Sequence, residues 1–280
     1  MKRLTVFILV FMVMFSCAGC SLANMDRESL KFKEVAGGYA LYRYKGSSQR
    51  SNFTVPDEYN GKKVVEILDF AIANSEYIKT LNLGKNIEKI DEWGIVNCSS
   101  LQEIIVNAEN KNFKAADGIL YNKNMTELIT YPNGKTALQK DDNDNITGGG
   151  IVTVPQSVKI IRNNAFYLCG NLWKITFNEG LTEIGNKAFL KCGNLQNFTL
   201  PGTLQKIGVD SFSYCDSLTK VTIPKSVTSI GDFAFFSLSS IISEITIQRE
   251  NADGLTLGKD WIPNKKDTVK QKVKVVYIPG

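Results

Sequence analysis

The chain has 280 residues, 43% apolar and 22% charged, with a formal net charge of +5, six cysteines and no histidine. This is the composition of a folded domain or an elongated repeat array, neither low-complexity nor strongly charged. Without imidazole there is no Ser-His-Asp or Cys-His nucleophile pair and no histidine-ligated zinc or haem. Carboxylate-pair, lysine and tyrosine chemistries pass this filter, and the mild charge gives no reason to expect nucleic acid.

Met1-Lys2-Arg3 leads into an apolar run from Leu4 to Phe15, then Ser16-Cys17-Ala18-Gly19-Cys20. A basic start, an apolar stretch of this length and small residues before a cut predict a secretory signal peptide over residues 1–19. Leu4 to Ala18 is only 15 residues, short for a membrane span. Cys17-Ala18-Gly19-Cys20 resembles a bacterial lipobox, which implies that Cys20 is lipidated and becomes the mature N-terminus. Residues 20–30 then read as a tether to the bacterial envelope, and Ser21 rather than Asp after the cysteine leans towards the outer membrane or cell surface.

Residues 31–52 read as a β-rich N-terminal cap turning at Gly37-Gly38. A 23-residue period organises the rest of the chain, with Ile161, Ile184, Ile207 and Ile230 as its anchors. Five residues after each anchor stand Phe166, Phe189, Phe212 and Phe235, preceded by Ala165, Ala188, Ser211 and Ala234. Eight residues after it stand Cys169, Cys192, Cys215 and Leu238, with Leu172, Leu195, Leu218 and Ile241 three further on. Ile67 and Ile90 head degraded copies that carry Ser75 and Cys98 at the cysteine position. Leu172-x-x-Ile175-x-Phe177, Leu195-x-x-Phe198-x-Leu200 and Leu218-x-x-Val221-x-Ile223 alternate as half-buried strands do. Gly84, Pro155, Asn178, Pro201 and Pro224 turn the chain, and the Ile-Gly-x-x-Ala-Phe stretch predicts one or two helical turns. A strand and a short helical turn per period predict a β-rich α/β solenoid of about six coils.

The pattern Leu-x-x-Val-x-Ile-Pro-x-x-Val-x-x-Ile-Gly-x-x-Ala-Phe-x-x-Cys, seen from Leu218 to Leu238, resembles the BspA-like class of bacterial leucine-rich repeats. The resemblance implies a right-handed leucine-rich-repeat solenoid over residues 53–247. Phe53-Thr54-Val55-Pro56 with Asn60-Gly61-Lys62-Lys63-Val64 is similar to the longer first coil of that class. Gly118 to Pro132 is similar to its inserted β-hairpin, with Asn122 to Asn124 near the turn, inside an insertion over 107–152. Leu238 for Cys, Asn178 for Pro and the degraded coil around Trp93 depart from the pattern. Residues 248–280 read as a C-terminal cap, rich in Lys259, Lys265, Lys266, Lys270, Lys272 and Lys274. Lysines on its end strand discourage further pairing, and contact with anionic glycans is compatible with that role.

The repeat reinterprets the tempting motifs. Cys98, Cys169, Cys192 and Cys215 share one position that elsewhere takes Ser or Leu, so they read as buried thiols. A disulfide between neighbouring coils is the alternative, and the spacing lacks the knuckle that zinc prefers. The phenylalanine column reads as a core spine. Asp141-Asp142-Asn143-Asp144-Asn145 fails the calcium-loop spacing, with Ile146 where glycine is required, and reads as a solvated turn. No catalytic residue, cofactor or metal is predicted.

Outward strand positions form the candidate binding face: Trp173, Lys174, Thr176, Gln196, Asn197, Thr199, Lys220 and Thr222, with Gln102 and Glu103 from an earlier coil. Trp173 stands out, because an indole at an outward position can stack on a sugar or anchor a protein; packing under the inserted hairpin is the competing account. The resemblance implies a non-enzymatic adhesion role, with a protein or glycan partner such as host matrix or another bacterial surface molecule. The alternative is an envelope structural or assembly lipoprotein, with a glycan-acting enzyme third.

Overall fold

The isoleucine column becomes a backbone ladder. The two-residue strands Ile160–Ile161, Glu183–Ile184, Lys206–Ile207 and Ser229–Ile230 pair in parallel and in register, one per coil. Glu127–Thr130 extends this ladder at one end and Thr256–Leu257 at the other. A second parallel ladder joins Gly38–Tyr44, Lys62–Ile67 and Lys89–Ile90. The computed structural model describes residues 30–45, 51–237, 242–262 and 273–279. The leader over 1–19, Cys20, the tether as far as Ser29, and Leu238, Ile241, Lys265, Lys266, Lys270 and Lys272 lie outside the described residues.

The ladders give a solenoid of about nine turns rather than about six. The additional rungs come from the N-terminal hairpin, the insertion and the C-terminal end, which lack the repeated side chains. They supply backbone donors and acceptors at the same rise, and a ladder asks for nothing more.

The second correction concerns the turns. Among the described residues there is no helix, and the expected α/β character gives way to an all-β solenoid. The reason is visible at two positions of the regular coils. The third residue after the anchor is left-handed in Asn164 (φ 60°), Lys187 (56°), Asp210 (54°) and Phe233 (55°). The seventh is left-handed in Leu168 (60°), Lys191 (62°) and Tyr214 (56°). Two such reversals within five residues prevent any right-handed helical run. They aim alternate amides at the neighbouring coil instead. Asn164, Phe166 and Leu168 donate to the carbonyls of Asn186, Ala188 and Leu190 at 3.0, 2.7 and 2.9 Å. Tyr167 and Cys169 donate back within their own coil, to Asn164 and Phe166. Left-handed backbone at Leu168, Tyr214 and Phe233 costs roughly 1–2 kcal/mol each, and the stacked hydrogen bonds offset it.

Coils this close leave no room for a side chain at the residue after the anchor. A Cβ on Gly185, Gly208 or Gly231 would lie 2.4 to 2.6 Å from the preceding coil's backbone nitrogen. Beside these glycines, Asn163 and Asn186 use their side-chain oxygens to accept the next coil's Asn186 and Val209 amides, at 2.7 and 2.9 Å.

The interior is an aromatic column. Phe166, Phe189, Phe212 and Phe235 are fully buried and stack within 13° of parallel, at centroid spacings of 4.7, 5.0 and 5.3 Å. Tyr131 of the insertion prolongs the stack at 5.0 Å, and Trp261 closes it edge-on. Each buried ring contributes about 1.5–3 kcal/mol before ordering costs.

The insertion folds as a meander of Phe113–Ala116, Ile119–Asn122 and Glu127–Thr130. The Asn122 side chain accepts the Thr126 and Glu127 amides at 2.8 and 3.0 Å and so fixes its second turn. Strand alternation sends Ile119, Tyr121 and Leu128 into the apolar cluster of the later coils, and Leu120 and Ile129 into that of the earlier coils.

The turn carbonyls opposite the ladder are met by side chains from the following coil. Asn178, buried where other coils have proline, donates to the carbonyls of Pro155 and Val158 at 2.8 and 3.1 Å. Asn110 does the same for Gly84 and Ile87, and Thr203 for Glu179 and Leu181. The Ser211 hydroxyl is buried with no hydrogen-bond partner, at a position where the sister coils carry alanine. Asn178→Ala should therefore destabilise the fold by about 2–3 kcal/mol. Ser211→Ala should stabilise it by about 1 kcal/mol. Urea unfolding midpoints at constant m-value check both signs.

Candidate functional site

The outward strand residues lie on three short sheets rather than one continuous face. Asn52–Thr54, Thr80–Leu83 and Glu103–Val106 form the first, Gly150–Thr153 and Leu172–Thr176 the second, and Lys220–Ile223, Glu244–Ile247 and Lys274–Tyr277 the third. Gln102 and Glu103 are exposed, but on the first sheet, and so belong to a different patch from Trp173. The insertion stands between the two.

The break between the second and third sheets falls on the segment expected to be a strand, Leu195-x-x-Phe198-x-Leu200. Its burial still alternates, yet it forms no strand. Asn197 is the cause. Its side-chain oxygen accepts the Thr219 amide at 2.9 Å and the Lys220 amide at 3.2 Å, where regular coils use a backbone carbonyl. Its amide nitrogen donates to the Thr219 hydroxyl at 2.7 Å. Asn197 thus caps the next strand and has little left for a ligand. Gln196 is half-buried and donates to the Asn194 carbonyl, while Thr199 is exposed on irregular backbone.

Lys220 and Thr222 pair in register with Glu244 and Thr246. Lys274 reaches Glu244 at 3.4 Å, so a Lys-Glu-Lys ladder crosses this sheet. Exposed pairs of this kind contribute about 0–1 kcal/mol and solvate the end of the solenoid. Among the described members of the lysine-rich cap, Lys259 donates its backbone amide to Asp232, and Lys274 lies on the last strand.

The second sheet is different. Trp173 is half-buried against the insertion, where a Cβ on Gly149 would meet the Trp173 Cβ at 3.0 Å. Lys174 and Thr176 are exposed and pair in register with Ile151 and Thr153. Ile151 is 69% exposed, the most open large apolar side chain among the described residues. Ile151 stands one 23-residue period before Lys174, at the same outward position, and sequence reasoning missed it because Gly149 replaces the leucine that heads the strand in the regular coils. The signal was there in Ile151-Val152-Thr153-Val154, since burying Val152 and Val154 turns Ile151 outward.

The four cysteines are free and buried. The Cys192 and Cys215 thiols donate to the Phe166 and Phe189 carbonyls of the preceding coil at 3.1 and 3.3 Å. Among the described residues no group of three or more cysteines and acids is placed to hold a metal ion. Asp141 accepts the Asn143 and Asn145 amides in an exposed hairpin turn, and the Asn145 side-chain amide, with these two, holds its carboxyl below the usual range.

Parallel strands repeated at a fixed rise, a stacked aromatic column and side-chain caps from coil to coil define a leucine-rich-repeat solenoid. The family described as BspA type Leucine rich repeat region matches residues 41–147 and 143–253, in six copies, which is well over half of the chain. The chain belongs to that family. No curated protein matches it. The solved structure of the pneumococcal vaccine antigen PcpA is similar over 88% of this chain and 89% of its own, at 15% identity and a TM-score of 0.51. A leucine-rich repeat protein from Eubacterium ventriosum is similar over 74% of this chain, at 24% identity and a TM-score of 0.52. This chain spans 54% of the length of that second structure. At these identities the likeness is one of fold.

Burial pushes the Cys98 thiol up to about 11 and lifts Cys169, Cys192 and Cys215 well above the ordinary thiol value. The unfolded chain ionises its thiols near about 8.5, so their contribution to stability is whole below that pH and is lost as pH rises through the folded values. Thermal unfolding measured from about pH 8 upward should show a midpoint that declines less steeply for Cys192→Ala than for the wild type, even though the variant starts lower.

Proposed function

We propose that this chain is a lipid-anchored binding protein of the bacterial envelope that holds a protein partner, in adhesion, on the sheet carrying Ile151, Trp173, Lys174, Thr153 and Thr176. The observation that carries this reading is the exposed Ile151 in register with Lys174, beside a half-buried indole. An apolar anchor, an aromatic and a cation on rigid strands are the ingredients of an interface hot spot. Lys220, Thr222, Gln102 and Glu103 lie on the other two sheets, outside this patch. The family supports a surface protein that binds other proteins, and a repeat face offers the extended area such binding needs. A binding role also suits a face with charges of both signs and no pair of acids arranged as acid and base.

The anchor rests on the sequence from Met1 to Cys20. A single acyl chain gives only marginal attachment, whereas the two or three of a bacterial lipoprotein hold permanently. Detergent phase partitioning of cell extracts should put the wild type in the detergent phase and Cys20→Ser in the aqueous phase. Recovery of Cys20→Ser with the detergent would refute the anchor.

Partner binding is read on immobilised fibronectin, fibrinogen, laminin and whole bacterial surfaces. Ile151→Asp or Trp173→Ala should weaken whichever interaction is found by about 2 kcal/mol, some thirtyfold in Kd. Lys220→Ala should change it less than threefold. Equal affinity of the Ile151→Asp variant and the wild type would remove this sheet from the interface.

A further inference from the structure

The insertion leaves a gap in the stack, on a different surface from the strand sheets. Its own coil, at Glu127–Thr130, has no copy of the repeated left-handed turn, because Tyr131-Pro132-Asn133 replaces it. The coils on either side meet across the missing turn. Glu92 accepts from the Asn163 side-chain amide at 2.7 Å, and its backbone carbonyl accepts from Asn164 at 3.3 Å. The other side-chain atom of Asn164, Oδ1, is buried with no hydrogen-bond partner. Beneath this bridge opens a cleft of about 410 Å³, lined by Glu88, Asp91, Glu92, Asn112, Phe113 and Arg162.

A row of aromatic rings runs from the rim of the cleft. Trp93, next to Glu92, lies edge-on to Tyr167 at 5.4 Å and stacks on Phe70 at 5.6 Å and 22°. Phe70 is 59% exposed and its backbone is left-handed, at φ 60°. That backbone is the repeated turn, with the Phe70 amide donating to the Trp93 carbonyl at 2.9 Å, but an apolar ring this exposed is unfavourable for solvation.

We propose that the cleft and the aromatic row form a binding site for a neutral oligosaccharide. Sugar rings present C–H faces that lie on aromatic platforms and hydroxyls that exchange hydrogen bonds with carboxylates, amides and guanidinium groups in the ring plane. The row of rings from Phe70 to Tyr167 supplies the first and the cleft the second. The cations are already matched from within: Lys89 reaches Asp91 at 2.8 Å and Glu66 at 3.9 Å, and Arg162 reaches Glu127 at 3.7 Å. An anionic ligand would have to displace these pairs, whereas an uncharged polyol adds to them. The volume falls within the range of small-ligand pockets, roughly 300–1,000 Å³.

Native gel electrophoresis of the purified full chain in mixed-linkage β-glucan, α-mannan, arabinoxylan or heparin tests the site. At least one neutral polysaccharide should retard the protein. Phe70→Ala and Asn112→Ala, both exposed positions, should each weaken that retardation at least fivefold with an unchanged melting temperature. Trp93→Phe, which keeps a ring in place, should retain binding and lose the sugar-dependent change in tryptophan fluorescence. Trp173→Ala should bind sugar as the wild type does. Retardation by heparin alone, or by nothing, overturns the proposal. So does full binding by Phe70→Ala, a fluorescence response that survives Trp93→Phe, or loss of sugar binding in Trp173→Ala.

Discussion

Every coil presents backbone amides and carbonyls along the axis of the stack, and each must find its partner on the coil above or below. The left-handed residues at the third and seventh positions make this possible, because they turn alternate amides from their own coil to the next one. That requirement shapes much of the sequence. Helical turns are excluded, since they would consume the same amides. Glycine is required after the anchor, since coils that exchange hydrogen bonds stand too close for a Cβ. Asparagine, serine, threonine and arginine collect where a backbone group would otherwise be left alone, as Asn178, Ser226, Thr203 and Arg249 do.

The same constraint accounts for what the sequence displayed and what it hid. Ile184 and Phe189 recur at fixed spacing because a column of buried side chains must be filled identically in each coil, and such a column is legible as a period. The left-handed turns were not legible. Asn164, Lys187, Asp210 and Phe233 share a conformation without sharing a chemistry, so propensity gives no common signal. Packing and inter-coil hydrogen bonds impose that backbone, and the apparent helical spacing of Ile-Gly-x-x-Ala-Phe reflected one buried side of a turn instead.

The candidate binding face shows a similar division. Alternation correctly places Lys174 and Thr176 outward, whereas Trp173 is only half open because the insertion packs beside it. Asn197 looked like a ligand contact and is a strand cap, a role that depends on the Thr219 and Lys220 amides 22 and 23 residues away. Ile151 holds the repeat position of Lys174 one period earlier, but glycine replaces the leucine at the head of its strand and so hides it. The aromatic row from Phe70 to Tyr167 joins residues nearly a hundred positions apart, and only the loss of one turn in the insertion brings them together. Local patterns report a side chain's environment well and its long-range partners poorly.

The two-sided strands of the insertion give the molecule an interior wall. With Ile119, Tyr121 and Leu128 facing one apolar cluster and Leu120 and Ile129 the other, neither cluster runs the full length of the stack. In a linear array each coil lends stability only to its neighbours, so a fray that starts at an end advances coil by coil. A sheet of hairpin strands across the path acts as a firebreak: the half that opens first does not oblige the other to follow. Under load applied along the stack, that partition lets one segment yield while the other keeps its fold.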